Sequence, residues 1–356
     1  MFLVISYTIT NGGDFLILDA GIKLIEKYLG KDYVHINNCV SNLDEIDFDK
    51  YEFIVHVGGP AYIDRLLEKD VYPLVKKIQP LKKKLFMLGC GWFGNIATNK
   101  KVYEYKFSEK SKQALDYIEK YGILGCRDYT TVEVLKNNGY QNIIMTGCPV
   151  WYDNLEGKMR KEKGITKVII SDMGITKNSK LNKQKYKQVV NVIQLVKKKF
   201  KDLEIYFTFN HGINTKYSAE FNKKVAEFLK KEKIKYYELV GSRDLFSVYD
   251  DCDFHVGYRV HSHIYCLTRG IPSVLLCEDA RGVGMNKTLS FPIIYSNISE
   301  KEDEFIDNTY LLSELDYEID RMIENRKYEI QRITNWFNFC YNTKVNLFFH
   351  RLMEEK

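Results

Sequence analysis

No apolar run in this sequence approaches the ~20 residues needed to cross a bilayer. The eight cysteines show no C-x-x-C pairing, and most sit inside apolar runs, as Cys277 does after Val274-Leu275-Leu276. They read as small buried thiols in a reducing compartment. Zinc-finger spacing, an RNA-binding aromatic signature and a basic helix are all missing, which argues against nucleic acid as a partner. Proline is scarce, at 6 in 356 residues, and carries no functional weight. Residues 1–7 are apolar but short, lack a basic leader and run into a polar glycine turn, so a first strand is expected there rather than a signal peptide. These features point to a cytoplasmic protein, with the inner face of the membrane left open.

What is present is ordinary for a globular chain: 45% hydrophobic, 14% aromatic and 28% charged residues, ample for packed interiors and outside the disordered and fibrous classes. The net charge of +6 is spread along the chain, densest at Lys82–Lys84 and Lys197–Lys199. Both runs read as solvated faces, with a modest pull toward anionic substrates or an anionic membrane surface. A chain of 356 residues exceeds one typical core.

Strand-like and helix-like periods alternate. Strands are predicted at 2–7, 33–36, 53–57, 85–88, 123–126 and 143–146, with helices at 15–29, 62–68, 111–121 and 130–137, and Asp14 as N-cap of the first helix. Residues 153–163 are polar and aperiodic and read as a linker. The alternation restarts with strands at 168–171, 205–209, 236–240 and 254–257, helices at 183–200 and 217–230, and a buried strand after Pro272. Helices are expected at 313–330 and 333–352, the last an aromatic-rich packing helix. The expected organisation is a Rossmann-like domain over 1–152, a linker over 153–163, a second Rossmann-like domain over 164–300, and C-terminal helices over 301–356 that pack back on the domains. The fold class is α/β in a GT-B-like arrangement, with a cleft between the carboxyl ends of two parallel sheets.

The chemistry-bearing residues gather at strand ends. Gly257-Tyr258-Arg259-Val260-His261-Ser262-His263 follows a short apolar run and precedes a helix. Arginine, a helix N-terminus and a titratable imidazole at a strand's carboxyl end suit an anionic small molecule. Asn11-Gly12-Gly13-Asp14, His56-Val57-Gly58-Gly59-Pro60 and Gly89-Cys90-Gly91-Trp92-Phe93-Gly94 are three glycine-rich strand exits, and Trp92 offers a sugar-stacking wall. Arg127-Asp128 is either a structural pair or an anion clamp with its orienter. Asn210-His211 offers a general acid or base. His261 and His263 point to opposite sides of a helix and no third ligand is evident, so no metal is expected.

In this order the motifs resemble the polysaccharide pyruvyl transferase family: an early Asn-Gly-Asp-type turn (Asn11–Asp14), Gly58-Gly59, the Gly89–Gly94 segment, Arg127-Asp128 before a helix, and Gly257–Ser262 matching Gly-x-Arg-x-His-Ser. The resemblance spans roughly residues 2–295. It implies transfer of a pyruvyl group from phosphoenolpyruvate to hydroxyls of a saccharide or lipid-linked saccharide, usually as a cyclic ketal, with no cofactor beyond that donor. It also implies that Arg259 and His261 hold and activate the donor, with Arg127 as a second clamp and His261 as the acid. Asn11, Asp14, Gly58, Gly59, Trp92, His211, Ser262 and Arg281 are the substrate-binding candidates. His211 or Asp14 would take the acceptor's proton. The chain departs from the family in having Gly147-Cys148-Pro149 where Asp-Pro is common, and Asp279-Ala280-Arg281 where a lysine often follows the strand. Two alternatives stand beside this reading. One is a GT-B glycosyltransferase using a nucleotide sugar gripped by Glu278 or Asp279; the other is a non-catalytic glycan-binding member.

Overall fold

The computed structural model describes residues 1–7, 10–37, 39–94, 98–155, 164–174, 179–214, 219–296 and 308–354. Most of the expected linker, residues 156–163, lies outside them, as do residues 301–307. The described strands form two six-stranded sheets. The first contains β1 (Phe2–Ser6), β2 (Tyr33–Asn37), β3 (Phe53–Val57), β4 (Lys84–Cys90), β5 (Gly122–Cys126) and β6 (Ile143–Ile144). The second contains β7 (Lys167–Ser171), β8 (Glu204–Phe209), β9 (Lys235–Glu238), β10 (Phe254–Gly257), β11 (Ser273–Cys277) and β12 (Ile294–Tyr295). All neighbours in both sheets run parallel. Helices cover both faces, and so β1, β3 and β11 are buried throughout and apolar at four of five positions each.

Strand order decides where ligands can sit. The first sheet runs β2-β1-β3-β4-β5-β6 and the second β9-β8-β7-β10-β11-β12. The order therefore reverses between β1 and β3 in one sheet and between β7 and β10 in the other. Helices leaving neighbouring strands at such a point diverge to opposite faces and open a crevice beyond the carboxyl ends. In the register of β10 on β7, Gly257 lies beside Ser171. A Cβ on Gly257 would stand 2.2 Å from the Ser171 hydroxyl, and the residue's φ is +157°. Only glycine lets the two strand ends, and the loops they launch, come this close.

The two lobes meet along those crevices. The amide of Gly12 donates to the carbonyl of Asn210 (3.3 Å), Gly241 to Thr10 (3.2 Å), and Ala280 to Gly94 (3.0 Å). On the far side of the sheets, the C-terminal helices return to the first lobe: Phe349 stacks on Tyr28 at 4.4 Å and Phe337 on Trp151 at 5.1 Å. The helix expected over 313–330 is broken at Asn325 into Asn308–Glu324 and Arg326–Cys340. The π-helical turn Tyr341–Val345 then joins the latter to Asn346–Glu354. The apolar period continues through the break, which is why it was illegible. No described helix is long and apolar enough to cross a membrane.

Asp153, at the head of the expected linker, is not a solvated residue. Its side chain is wholly buried and accepts from Arg243 (2.8 and 2.9 Å), Arg269 (3.0 Å) and Lys23 (3.0 Å). Burial alone would raise its pKa, but the hydrogen bond from Arg269 and the charges of Arg243 and Lys23 hold it below the usual carboxylate range. Lys23 comes from the first lobe and both arginines from the second, so one carboxylate fastens the lobes together. Asp153→Asn leaves those cations without their partner and should cost about 3–5 kcal/mol in urea unfolding at pH 7. Because the folded pKa is depressed, the contribution is present above the unfolded value of about 3.9 and fades as pH falls through the lower folded value. Wild type and variant should therefore converge in stability at strongly acidic pH.

Candidate active site

A recess of about 440 Å³ lies between the lobes, lined by Asn11 and Arg127 from the first and by Asn210, Tyr258 to His261, Glu278, Asp279, Arg281 and Gly282 from the second. Each lining group arrives on the carboxyl end of a strand. Arg127 follows β5, Asn210 follows β8, Arg259 follows β10 and Arg281 follows β11, so four parallel strands aim their exit loops into one space.

Arg259 is the N-cap of the helix Val260–Thr268, which places His261 in that helix's first turn. The guanidinium is not free. It donates to Asp172 from Nε (2.7 Å) and Nη2 (2.8 Å), a bidentate pair nearly buried on both sides. Burial would lower the arginine's pKa, but the charge and hydrogen bonds of Asp172 raise it further. Asp172 also accepts from the amide of Asn210 at 3.1 Å, tying the β7, β8 and β10 exits together. Arg281 is held likewise by Asp279, which it meets through Nε (3.1 Å) and Nη2 (2.6 Å), and it lies 4.8 Å over the Phe93 ring.

Arg127 differs from both. It is 1% exposed, and its Nε donates to Asp128 at 3.3 Å, but its Nη2 has no hydrogen-bond partner among the described residues. Asp128 is occupied as N-cap of the helix Tyr129–Asn137, accepting from the amide and hydroxyl of Thr131. A buried guanidinium nitrogen without an acceptor costs the full desolvation of that donor unless a ligand supplies one. The Nε2 of His261, the Oδ1 of Asn210 and the hydroxyl of Tyr258 are also buried, unpartnered and on residues lining the same recess. Four such groups around one space, the acceptor Oδ1 of Asn210 among them, leave hydrogen-bonding capacity that a polar ligand could fill.

The His261 ring lies against the first lobe. A Cβ on Gly13 would stand 2.3 Å from its Nδ1, so any residue but glycine at 13 would displace the imidazole. Burial, reinforced by the charges of Arg127, Arg281 and Arg259, holds His261 well below 6.5. The expected near-neutral pKa is therefore not that of the unliganded site, where the ring is neutral. His211 follows the same pattern: burial, then the charge of Arg259, bring it down to about 4. It stands beside the recess without lining it.

Other expectations need correction. The Asn11–Asp14 segment is not a free turn: the helix starts at Gly12, and Asn11 is the N-cap, its side chain accepting from the Gly13 amide at 3.0 Å. That leaves the Asp14 carboxyl without a capping role, and burial pushes it up to about 6 against the pull of Arg281, Arg259 and Arg127. Trp92 is no sugar platform. It is 3% exposed and packs edge-on against Tyr105 at 5.2 Å, leaving Phe93 as the aromatic beside Arg281. Ser262 is fully buried and does not line the recess. Gly58 and Gly59, both at positive φ, line a separate recess in the first lobe. Glu278, a candidate ribose grip, already accepts the Gly174 amide through both oxygens (2.8 and 2.9 Å) and lies 3.6 Å from Lys185. His255 and His263 share the Ser273 hydroxyl (2.6 and 2.7 Å) inside the second lobe and are core residues. Among the described residues no cluster of histidine, cysteine and carboxylate side chains is arranged to hold a metal. Sequence reasoning missed Asp172, which stands just past the end of β7, and gave no role of their own to Asn210 and Tyr258, although it picked out the segments that carry them.

A family model described as polysaccharide pyruvyl transferase matches residues 11–276. No curated protein sequence matches the chain. In fold the chain is similar to MnaA of S. aureus in its structure with UDP, at TM-score 0.56 and 9% identity over 94% of this chain and 90% of that one. It is also similar to the UDP-GlcNAc 2-epimerase of Neisseria meningitidis bound to UDP-GlcNAc, at TM-score 0.54 and 8% identity over 96% and 99%. The UDP-GlcNAc 2-epimerase of Methanocaldococcus jannaschii gives 0.50 at 12% identity over 82% and 87%. At such identities these likenesses show the fold, two Rossmann-like lobes in a GT-B-like arrangement.

The unpartnered Nη2 makes a direct forecast. Inorganic phosphate should raise the melting temperature of the wild type, and Arg127→Met, which keeps the bulk and removes the donors, should abolish that shift. Equal stabilisation of both proteins would place the anion elsewhere.

Proposed function

The chain belongs to the polysaccharide pyruvyl transferase family, and from that premise we propose that it transfers a pyruvyl group from phosphoenolpyruvate to a saccharide, forming a ketal. The observation that carries this reading is the pairing of the unpartnered Arg127 Nη2 with the unpartnered His261 Nε2 at one recess containing three arginines. Phosphoenolpyruvate is a compact polyanion whose reaction needs one proton at C3 and stabilisation of a departing phosphate. The site supplies groups of both kinds.

Arg127 provides the open donor for a phosphate or carboxylate oxygen. Arg259 and Arg281, each fixed by its own carboxylate, contribute oriented positive charge without reorganising during the reaction. Their role is that of rigid walls, with Asp172 and Asp279 as positioning residues. His261 is the acid in this scheme. It is neutral in the free protein, so its proton must arrive with the donor. The donor's negative charge offsets the three arginines that depress the imidazole, and the pKa rises on binding. Protonation of C3 then develops positive charge at C2, a sugar hydroxyl adds there, and phosphate leaves toward the arginines. A cytoplasmic location, where phosphoenolpyruvate is available, fits this donor.

A nucleotide-sugar reading draws support from the fold, since the similar structures are named with UDP or UDP-GlcNAc. Against it, Glu278 is already occupied by Gly174 and Lys185, and Asp279 by Arg281. A purely glycan-binding member would have no use for a buried arginine with an unfilled donor.

Two measurements test the proposal. Phosphoenolpyruvate should stabilise the wild type in thermal unfolding, whereas UDP-GlcNAc should not; stabilisation by the nucleotide sugar alone would favour the second reading. Arg259→Ala should abolish phosphoenolpyruvate-dependent phosphate release, whereas His261→Gln should slow turnover by about 10²–10⁴-fold with donor affinity largely kept. Because donor binding raises the pKa of His261, titration near pH 6.5 should take up protons. Calorimetry in buffers of differing ionisation enthalpy reads that uptake directly, and it should vanish in His261→Gln.

A further inference from the structure

The sheet of the second lobe ends at β9, which has a strand neighbour, β8, on one side only. The links from β7 to β8 and from β8 to β9 both step outward in the same direction. Right-handed crossover therefore sets their helices, Ser179–Lys199 and Ala219–Lys231, on one face. That face buries Phe207 and Phe209, with Tyr236 edge-on to Phe209 at 5.5 Å. The opposite face carries Lys167 of β7, Tyr206 of β8, and Lys235 and Tyr237 of β9, as the register and the two-residue period require. Tyr249, hydrogen-bonded to Thr208 at 2.7 Å, covers the carboxyl half of this face. Among the described residues the amino half lies open. Tyr237 is 40% exposed, its ring stands 5.8 Å from that of Tyr206, and the Lys167 ammonium lies 4.7 Å from the centre of the Tyr206 ring.

The turn that enters this corner is basic. Residues 230–237 read Lys-Lys-Glu-Lys-Ile-Lys-Tyr-Tyr, and all four lysines are exposed. Glu232 is committed to Lys197 at 2.6 Å, and none of the four lysines forms an ion pair among the described residues. Glu204 accepts from the Tyr206 hydroxyl (3.0 Å) and Glu238 from the Ile213 amide (2.7 Å). With Asp202 these acids are outnumbered, since Lys167 and Lys201 add to the four lysines of the turn. The negative end of the helix Ala219–Lys231 accounts for Lys230 and Lys231 in its last turn. It does not account for Lys233 and Lys235, which lie past the helix. Lys233 even occupies a left-handed position (φ +57°), where glycine or asparagine is usual at a helix end. An open hollow of about 730 Å³ lies here, lined by Lys230, Lys233, Ile234, Lys235, Tyr236 and Tyr237.

The chain of β9 joins this corner to the arginine recess. Beyond Glu238 it reaches Val240, which bridges to Asn11, and Gly241, whose amide donates to Thr10. Asn11 lines the arginine recess. The five steps of extended chain from Lys235 to Val240 span about 16 Å.

We propose that this corner docks the protein on an anionic lipid bilayer, with Lys230, Lys231, Lys233 and Lys235 at the phosphate headgroups and Tyr237 at the interface. Tyrosine, an apolar ring with a polar tip, favours that interface. Each lysine near an anionic leaflet contributes about fivefold to partitioning. A saccharide carried on a lipid then stands one strand's length from the recess. A nucleic acid fits less well, because the lysines cluster at one turn and do not line a groove that tracks a strand. The inference goes beyond the donor reading and does not rest on it, since bilayer binding is measured with no substrate present.

The test is flotation of the full chain with vesicles of phosphatidylcholine alone or mixed in equal parts with phosphatidylglycerol. The wild type should partition onto the mixed vesicles and not onto phosphatidylcholine, and added salt should release it. Lys233→Gln combined with Lys235→Gln should weaken partitioning by about 25-fold, two lysines at about fivefold each. Tyr237→Ser should also weaken it while leaving the salt dependence unchanged. Lys110→Gln combined with Lys112→Gln makes an equal charge change at exposed sites of the first lobe and should bind as the wild type does. All five positions are exposed, so melting temperatures should stay at the wild-type value and binding losses should report the surface. Wild-type protein that does not float with the mixed vesicles, or floats equally with both kinds, overturns the inference. So does undiminished binding by the Lys233 and Lys235 variant, or an equal loss in the Lys110 and Lys112 variant. A single-stranded oligonucleotide that binds the wild type more tightly than the mixed vesicles do, through the same two lysines, would overturn it in favour of a nucleic acid.

Discussion

A buried guanidinium nitrogen with nothing to donate to is the constraint around which the site is organised. The Nη2 of Arg127 is held in place by the short link from β5 and by Asp128, which is itself committed to capping a helix. A fold that keeps such a donor dry bears a desolvation cost that a bound anion removes. The neighbouring arginines are matched one to one with carboxylates, Arg259 with Asp172 and Arg281 with Asp279, so their positions are set before any ligand arrives. One open donor between two fixed forks is an arrangement that binds by completing itself.

The same electrostatics divide labour between the lobes. Burial, reinforced by three arginines, keeps the imidazole at 261 neutral, whereas the same arginines hold a carboxylate at 14 ionised near pH 7 against the burial that pushes its pKa up. In the proposed reaction the imidazole gains its proton when the donor's negative charge enters, which would couple acid chemistry to donor occupancy. The Asp14 carboxylate lines a second recess, in the first lobe, whose lining residues include no lysine or arginine. The lobes stay in register because Asp153 joins Lys23 on one side to Arg243 and Arg269 on the other. Glycine at 13 lets the imidazole of one lobe rest on the first helix of the other.

Much of this was legible in the sequence where the information is local. The alternation of strand and helix periods fixed the fold class, and Gly257–Ser262 is contiguous, so Arg259 and His261 could be read directly as strand-exit residues. What could not be read depends on pairings between distant strands. Asp172 is a single acid after β7, and its importance follows only from the register that sets Gly257 beside Ser171. Asp14 looked like a cap because Asn11 and Asp14 are both competent N-caps, and only the actual start of the helix at Gly12 separates them. Trp92 was misread because exposure of an aromatic at a glycine-rich turn is decided by what packs on it, here Tyr105. Asp153 was hidden in a polar stretch whose surface character was assumed from composition, whereas three cations from elsewhere in the chain bury it.

The most direct test of the central claim is a crystal structure of the protein grown with phosphoenolpyruvate. The account predicts the donor in the recess between the lobes, with a phosphate or carboxylate oxygen within hydrogen-bond distance of Arg127 Nη2 and C3 facing His261 Nε2. Donor density outside that recess, or an Arg127 Nη2 that remains unpartnered with the donor bound, would contradict it.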